Sequence, residues 1–374
     1  MSMSAKVCII TTVHPPFDTR IFHKEAKTLA QAGYEVVLIA QHERNELVEG
    51  VKIVALPRPR NRFARIFGLT WRAFRLALRE RADVYHFHDP ELLPIGVLLK
   101  LLTRAKVIYD VHEDVPQQIL TKYWIPAPLR YPVAAVFNVV EKLLAGAVDA
   151  VVVATEGIAE KFARFKPVVV HNYPHLGMLP NPSTRCREGK EKILVYVGGI
   201  SKLRGAIEMV RALEYLNSVW NVRLDFIGKF EPSELEQELQ SLPGYRRVRF
   251  LGWMQPENVY AHLAKADIGL VCLHPVPRFM VAWPVKLFEY MAAGLPVVAS
   301  NFPLWKQIVE GNRCGITVDP LDPKAIAQAI EYLLTHPEEA RQMGENGRRA
   351  VVEKYNWGQE KEKLLNLYEE LLKR

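Results

Sequence analysis

Residues 283–300 read WPVKLFEYMAAGLPVVAS, and the element types around them decide the fold. Within the stretch, 286–293 is rich in good helix formers and Gly294 supplies the stop. Upstream, the apolar run 268–273 predicts a buried strand, followed by a loop carrying Pro275, Pro277 and Pro284. Downstream, 295–299 is a second short apolar run bounded by turn residues, again a predicted strand. Strand, loop, helix and strand in succession make one βαβ unit of a parallel sheet. Ligands of such sheets sit outside the carboxyl ends of the strands, where this loop and helix start lie. Leu287, Phe288, Met291 and Ala292 can face the core, whereas Glu289 falls in the first turns, near the positive end of the helix. A carboxylate there can accept two hydrogen bonds from a vicinal diol such as a ribose; the alternative is a solvated Glu that merely favours the helix start.

The chain has 374 residues, 49% of them hydrophobic, enough for two α/β domains with their own cores. A net charge of +8 favours anionic partners: nucleic acid, acidic membrane surfaces or phosphorylated small molecules. Cys8, Cys186, Cys272 and Cys314 show no CxxC spacing and are expected to be reduced and structural, which suits a cytosolic protein. The N-terminal run reads as a first strand and not as a signal peptide, and the apolar segment 95–102 is too short to cross a bilayer. No Asp-x-Asp metal motif is present.

From the N-terminus, 6–13 predicts a strand and 14–17 a turn, after which Asp18 opens a helix to about 32. This Rossmann-like opening lacks G-x-G-x-x-G, which disfavours a nicotinamide or flavin enzyme. Strands follow at 34–40, 51–56, 84–88, 106–111, 150–154 and 168–171. The segment 58–81 carries eight arginines interleaved with Phe, Ile, Leu and Trp. It reads either as an interfacial membrane binder or as an ordinary core-facing helix; no binding motif accompanies it, so nucleic acid is disfavoured. Asp110, His112, Glu113 and Asp114 crowd one strand end, where titratable groups need a site or partners. The alternation Asp83, His86, His88 lacks the companion spacing of a zinc site.

The sequence 176–190, with Pro180, Pro182 and Gly189, reads as a linker between a first domain (1–175, with a return helix at 355–374) and a second (191–354). In the second, strand 192–197 leads into Gly198-Gly199 and a loop carrying Lys202 and Arg204 before a helix, an arrangement that suits a pyrophosphate. Further strands are expected at 223–227 and 249–251. Trp253 and Met254, just after the latter, read either as nucleobase contacts or as core.

Glu289 followed by YMAAGLPVVAS resembles the donor-site segment of the retaining nucleotide-sugar glycosyltransferases of family 4. The opening 14–40 and the element Arg249-Phe250-Leu251-Gly252-Trp253 resemble the same family. The resemblance implies the GT-B architecture: two facing Rossmann-like domains, with the C-terminal helix crossing back to the first. It implies that Glu289 holds the donor ribose, and that a second Glu, eight residues earlier, is here Val281. Of the family's basic pair, one position corresponds to Arg204; the other is Gly199, which leaves Lys202 as its substitute. The implied donor set is Gly198, Gly199, Lys202, Arg204, Trp253, Lys286, Leu287 and Glu289. His112, in Tyr109-Asp110-Val111-His112-Glu113, matches the histidine that approaches the transferred sugar, and His14, Asp18, Arg20 and Glu113 face the acceptor.

The expected activity is sugar transfer with retention, from a nucleoside-diphosphate sugar to a saccharide or lipid-linked saccharide, in polysaccharide or glycolipid assembly. His112, Lys202, Arg204 and Glu289 would carry it, without a cofactor or metal. The expected location is the cytoplasm, with an anionic membrane surface as a further partner through 58–81. A nucleotide-sugar epimerase, a sugar phosphorylase or a catalytically silent partner of another glycosyltransferase are the alternatives.

Overall fold

A computed structural model describes residues 4–122, 125–178 and 191–373, so Cys186 and most of the expected linker lie outside the described residues. The chain forms two compact units, residues 1–172 with Trp357–Arg374, and Tyr173–Asn356. Each is a doubly wound parallel sheet with helices on both faces.

The first sheet contains β1 (Lys6–Ile10), β2 (Glu35–Gln41), β3 (Glu46–Val48), β4 (Val51–Leu56), β5 (Val84–Phe87), β6 (Lys106–Val111), β7 (Ala150–Val153) and β8 (Val168–Val169). Their order is β3-β4-β2-β1-β5-β6-β7-β8, parallel except for the edge pair β3–β4. The second sheet contains β9 (Lys192–Val197), β10 (Val222–Ile227), β11 (Val248–Phe250), β12 (Ile268–Val271), β13 (Val297–Ser300) and β14 (Gly315–Val318), in the order β11-β10-β9-β12-β13-β14. Central strands are unbroken apolar runs, as in VCII of β1 and IGLV of β12, because both of their faces are covered.

The return helix Trp357–Lys373 belongs to the first unit. Leu364, Tyr368 and Leu371 are buried there beside Val7, Phe22 and Leu29, and Trp357 Nε1–H donates to Thr28 Oγ1 at 2.9 Å. Cys8, Cys272 and Cys314 are buried free thiols.

The strand expected at 6–13 stops at Ile10, because the Asp89 carboxylate captures the Thr12 and Val13 N–H groups, at 2.6 and 3.2 Å, that would have continued the ladder. The segment 58–81 is helical over 62–80. Leu69, Ala73, Phe74 and Ala77 pack into the core, as the core-facing reading expects, while Phe63, Phe67 and Trp71 stay exposed.

Candidate active site

In the second unit the strand order reverses between β9 and β12, and the loops leaving these strands flank the switch point where α/β sheets bind ligands. The loop after β9 is pinned to the end of β12. Gly205 has φ +75°, and a Cβ there would lie 1.9 Å from the Cys272 carbonyl oxygen, so only glycine permits this approach. His274 N–H donates to Leu203 O at 2.9 Å, and the His274 ring lies 2.9 Å from the Glu208 carboxylate on helix Ala206–Tyr215.

Two cations converge on this loop. A Cβ built at Gly198 would find Lys286 Nζ at 3.1 Å and Arg204 Nη1 at 3.6 Å. The Lys286 ammonium lies 3.7 Å from the centre of the Tyr196 ring and is buried with no hydrogen-bond partner. Burial, and then repulsion by Arg204, hold its pKa well below the usual lysine range, with Glu289 offsetting them only in part. The Lys286 Nζ is thus buried, without a hydrogen-bond partner, in the space that the Arg204 guanidinium also reaches.

Lys202 is a correction. Its exposed ammonium pairs with Glu238 at 2.6 Å, because residues two apart in the short turn Lys202–Arg204 point in different directions. Lys286, not Lys202, stands with Arg204 beside Gly198. At Gly199, the Glu231 carboxylate sits 2.8 Å from where a Cβ would be, so the space a side chain would use is already filled.

Glu289 lies on helix Val285–Ala292, half-buried, and accepts the Tyr260 O–H at 3.1 Å. Burial and the Glu289 charge both raise the Tyr260 pKa, so the phenol remains a donor that orients the carboxylate. Leu287 is also a correction. Its side chain is fully buried in the core and its N–H donates to Pro284 O at 2.9 Å, so neither is available to a donor. Trp253 is 60% exposed, which removes the core reading for it, while Met254 packs against the core. Val281 is exposed on the loop that Trp305 Nε1–H fastens at Ala282 O, 2.7 Å away.

In the first unit the reversal lies between β1 and β5, and the polar residues after these strands meet those after β6. Buried Asp89 accepts from Thr11 Oγ1 at 2.9 Å as well as from the two backbone N–H groups already described. His14 stands 3.6 Å from both the Asp18 and Asp89 carboxylates. Burial alone would lower its pKa, but Asp18 and Asp89 outweigh this and raise it. Asp18 Oδ1 accepts from the Arg20 and Ile21 N–H groups at 2.8 and 3.0 Å, so Asp18 is a helix cap and a partner of His14 at once. Glu113 is exposed and accepts from Gln118.

Arg20 is the third correction. It is 4% exposed, and its guanidinium donates to Val170 O at 2.6 Å and pairs with Asp110 at 2.9 Å and Glu25 at 2.8 Å. It is the cation at the centre of a buried cluster, turned toward Val170, Asp110 and Glu25. Glu25, His86, His88 and Asp110 bring potential ligand atoms within 4.8 Å of one another, but Arg20 already supplies positive charge there.

His112 borders that cluster. Its Nε2 shares a 2.8 Å hydrogen bond with His88 Nδ1, its Nδ1 lies 3.4 Å from Asp110, and His14 stands edge-on to its ring at 5.7 Å. Burial lowers its pKa to about 3, so the ring is neutral.

Asp89, Tyr260, Tyr196 and Glu231 are the site-lining residues that sequence reasoning passed over. Only Asp89 carried a signal, as the polar residue of His-Asp-Pro-Glu at a strand's carboxyl end; the tyrosines are indistinguishable in sequence from core aromatics.

Two doubly wound units with ligand-type loops at their switch points are the GT-B glycosyltransferase fold. Residues 19–173 match the family model "Glycosyl transferase 4-like domain" and residues 184–350 the model "Glycosyl transferases group 1". The chain belongs to the family 4 glycosyltransferases. It is 23% identical over 313 residues to the MMP alpha-(1->4)-mannosyltransferase of Mycolicibacterium hassiacum, covering 81% of this chain and 74% of that protein. Sucrose-phosphate synthase from Thermosynechococcus elongatus superposes with a TM-score of 0.78 at 20% identity, over 98% of this chain and 99% of that one. Anabaena HepE, in complex with UDP-glucose, does so with a TM-score of 0.73 at 14% identity, over 98% and 99%. At such identities the structural likeness speaks for the fold.

Proposed function

We propose that this glycosyltransferase moves a sugar from a nucleoside-diphosphate sugar to a hydroxyl acceptor with retention of configuration. The observation that carries the reading is the convergence of Arg204 and Lys286 on Gly198, with Glu289 one turn further along the helix that bears Lys286. In this reading the two cations hold the diphosphate and Glu289 the ribose, while Trp253 lies beside the base. The bond from the anomeric carbon to the diphosphate breaks, and the acceptor oxygen bonds to that carbon on the same face. The acceptor's proton passes to the departing phosphate. Arg204 and Lys286 stabilise the charge that develops on the leaving group. They supply what a metal would, so turnover is expected to survive chelation of divalent ions.

For the transferred sugar we propose His112 as a neighbour, its neutral ring held by His88 and no general base. His14, raised in pKa by its two carboxylates, would meet the acceptor, a saccharide or a lipid-linked saccharide. A cytoplasmic location goes with this reading; no helix among the described residues is long and apolar enough to cross a membrane.

Calorimetry with a panel of nucleoside diphosphates tests the donor site. One diphosphate is expected to bind, with Glu289→Ala weakening it by about 1–3 kcal/mol through loss of charged hydrogen bonds. If none binds, the donor reading fails and a silent partner subunit becomes the better description.

Lys286 gives a second, opposite-signed test. Its pKa is lowered in the folded protein, so between the folded and unfolded values the unfolded chain holds more protons and the residue costs stability. Lys286→Met is therefore expected to stabilise the free protein at pH 7 by about 1–3 kcal/mol, the usual cost of an unpaired buried polar group. The gain should shrink as the pH rises toward about 10, where lysine loses its charge in the unfolded chain as well. The same variant should bind nucleoside diphosphate more weakly. In the parent protein, binding should take up a proton, seen as a heat that depends on buffer ionisation enthalpy.

A further inference from the structure

On one face of the first sheet three helical segments lie side by side, 62–80, Leu93–Leu102 and Ala127–Ala145. Their inner sides place Phe74, Leu99 and Ala145 in the core. The outer side of Ala127–Ala145 inverts the usual pattern of a surface helix. Leu129, Val133, Val136, Val140 and Leu143 follow one another at steps of four and three, which aligns them in one stripe, yet each is 42–71% exposed. The helix buries only Ala134, Glu141 and Ala145. Leu101 and Leu102 on the neighbouring helix are also exposed, and Phe63, Phe67 and Trp71 form an aromatic row on the next.

The charge around this apolar surface has one sign. Residues 57–104 and 127–145 contain twelve Lys and Arg against five Asp and Glu. Those five are buried or engaged elsewhere. Glu80 pairs with Lys6 and Lys52, Glu91 with Arg65, and Glu141 accepts the Tyr109 O–H. Asp89 holds the β1 loop, and Asp83 accepts the Lys6 N–H. The occupant of this face must therefore be apolar and carry negative charge. A second copy would bring the same positive field and be repelled. We infer that the three-helix face docks on an anionic lipid surface. The valine and leucine stripe enters the acyl boundary and the arginines lie among the headgroups. The segment 58–81 alone is half of this surface, and the other half is Ala127–Ala145. The inference does not rest on the donor reading, since neither Glu289 nor the loop after β9 takes part.

Co-sedimentation of the full chain with vesicles tests it. Vesicles of phosphatidylcholine containing about one-third phosphatidylglycerol should bind the protein at least tenfold more tightly than phosphatidylcholine alone, and less so as salt is raised. The double variant Val136→Glu/Val140→Glu should lose about tenfold or more of that binding with its melting curve unchanged, because both sites are exposed. Arg72→Glu/Arg75→Glu should lose the preference for the anionic lipid. Protein that stays in the supernatant at low salt overturns the inference, as does a valine variant that sediments like the parent. A parent that is dimeric by sedimentation velocity and binds no vesicle, with a monomeric valine variant, assigns the face to a second copy and overturns it too. Glu289→Ala should sediment with vesicles like the parent, so failure of nucleotide binding and failure of lipid binding are read separately.

Discussion

Arg204→Ala is expected to lower kcat by about 100- to 1,000-fold, the usual cost of removing one preorganised donor from a developing oxyanion. Lys202→Ala, two residues away, should change it less than about fivefold, since an exposed ion pair such as Lys202–Glu238 is worth little. The contrast follows from direction. Arg204 and Lys286 reach the same space beside Gly198, whereas Lys202 leaves the loop on its outer side. Initial rates at saturating donor and acceptor decide the matter. If Lys202→Ala is the inactive variant and Arg204→Ala turns over normally, the cation pair has been assigned to the wrong side of the loop.

Arg20→Met should destabilise the protein by about 3–5 kcal/mol, because it leaves two buried carboxyl groups without their cation. Arg20 donates or pairs at Val170 O, Asp110 and Glu25, all at 2.9 Å or less. Burial alone would raise the Asp110 pKa, but Arg20 outweighs it and holds the carboxyl well below its ordinary range. A carboxyl with a lowered folded pKa adds stability above its unfolded value, near pH 4, and that contribution is lost as the pH falls through the folded value. The destabilisation by Arg20→Met should accordingly be largest near neutrality and shrink in acid, measured by urea unfolding across that range. An Arg20→Met protein of normal stability with a raised KM for acceptor alone would instead restore the acceptor role that the sequence suggests for this residue.

Among the strands that sequence reasoning placed best are the central 106–111 and 192–197, whose expected bounds coincide with β6 and β9. Both faces of these strands are covered, so the apolar run ends where the strand ends. Bounds drifted where side chains intervene. The Asp89 carboxylate cuts β1 short by taking backbone N–H groups, and no local pattern reveals a partner 77 residues away. The edge strand β3 was passed over because three half-polar residues carry no period.

The candidate site divides in the same way. Which residue types are available, and at which strand ends, is written in the chain: Gly198 and Arg204 after one apolar run, Glu289 on the helix after another, His112 after a third. Which of them face a ligand is decided by three-dimensional packing. Lys286 rather than Lys202 meets Arg204, Leu287 is core, Arg20 is spent on Asp110 and Glu25, and the helix Ala127–Ala145 turns its apolar stripe outward. The physical reason is that composition and periodicity fix which faces of an element are apolar, a local property of the backbone. The direction of a long charged side chain depends instead on partners far away in sequence. Electrostatics and burial choose among those partners only once the sheets have brought them together.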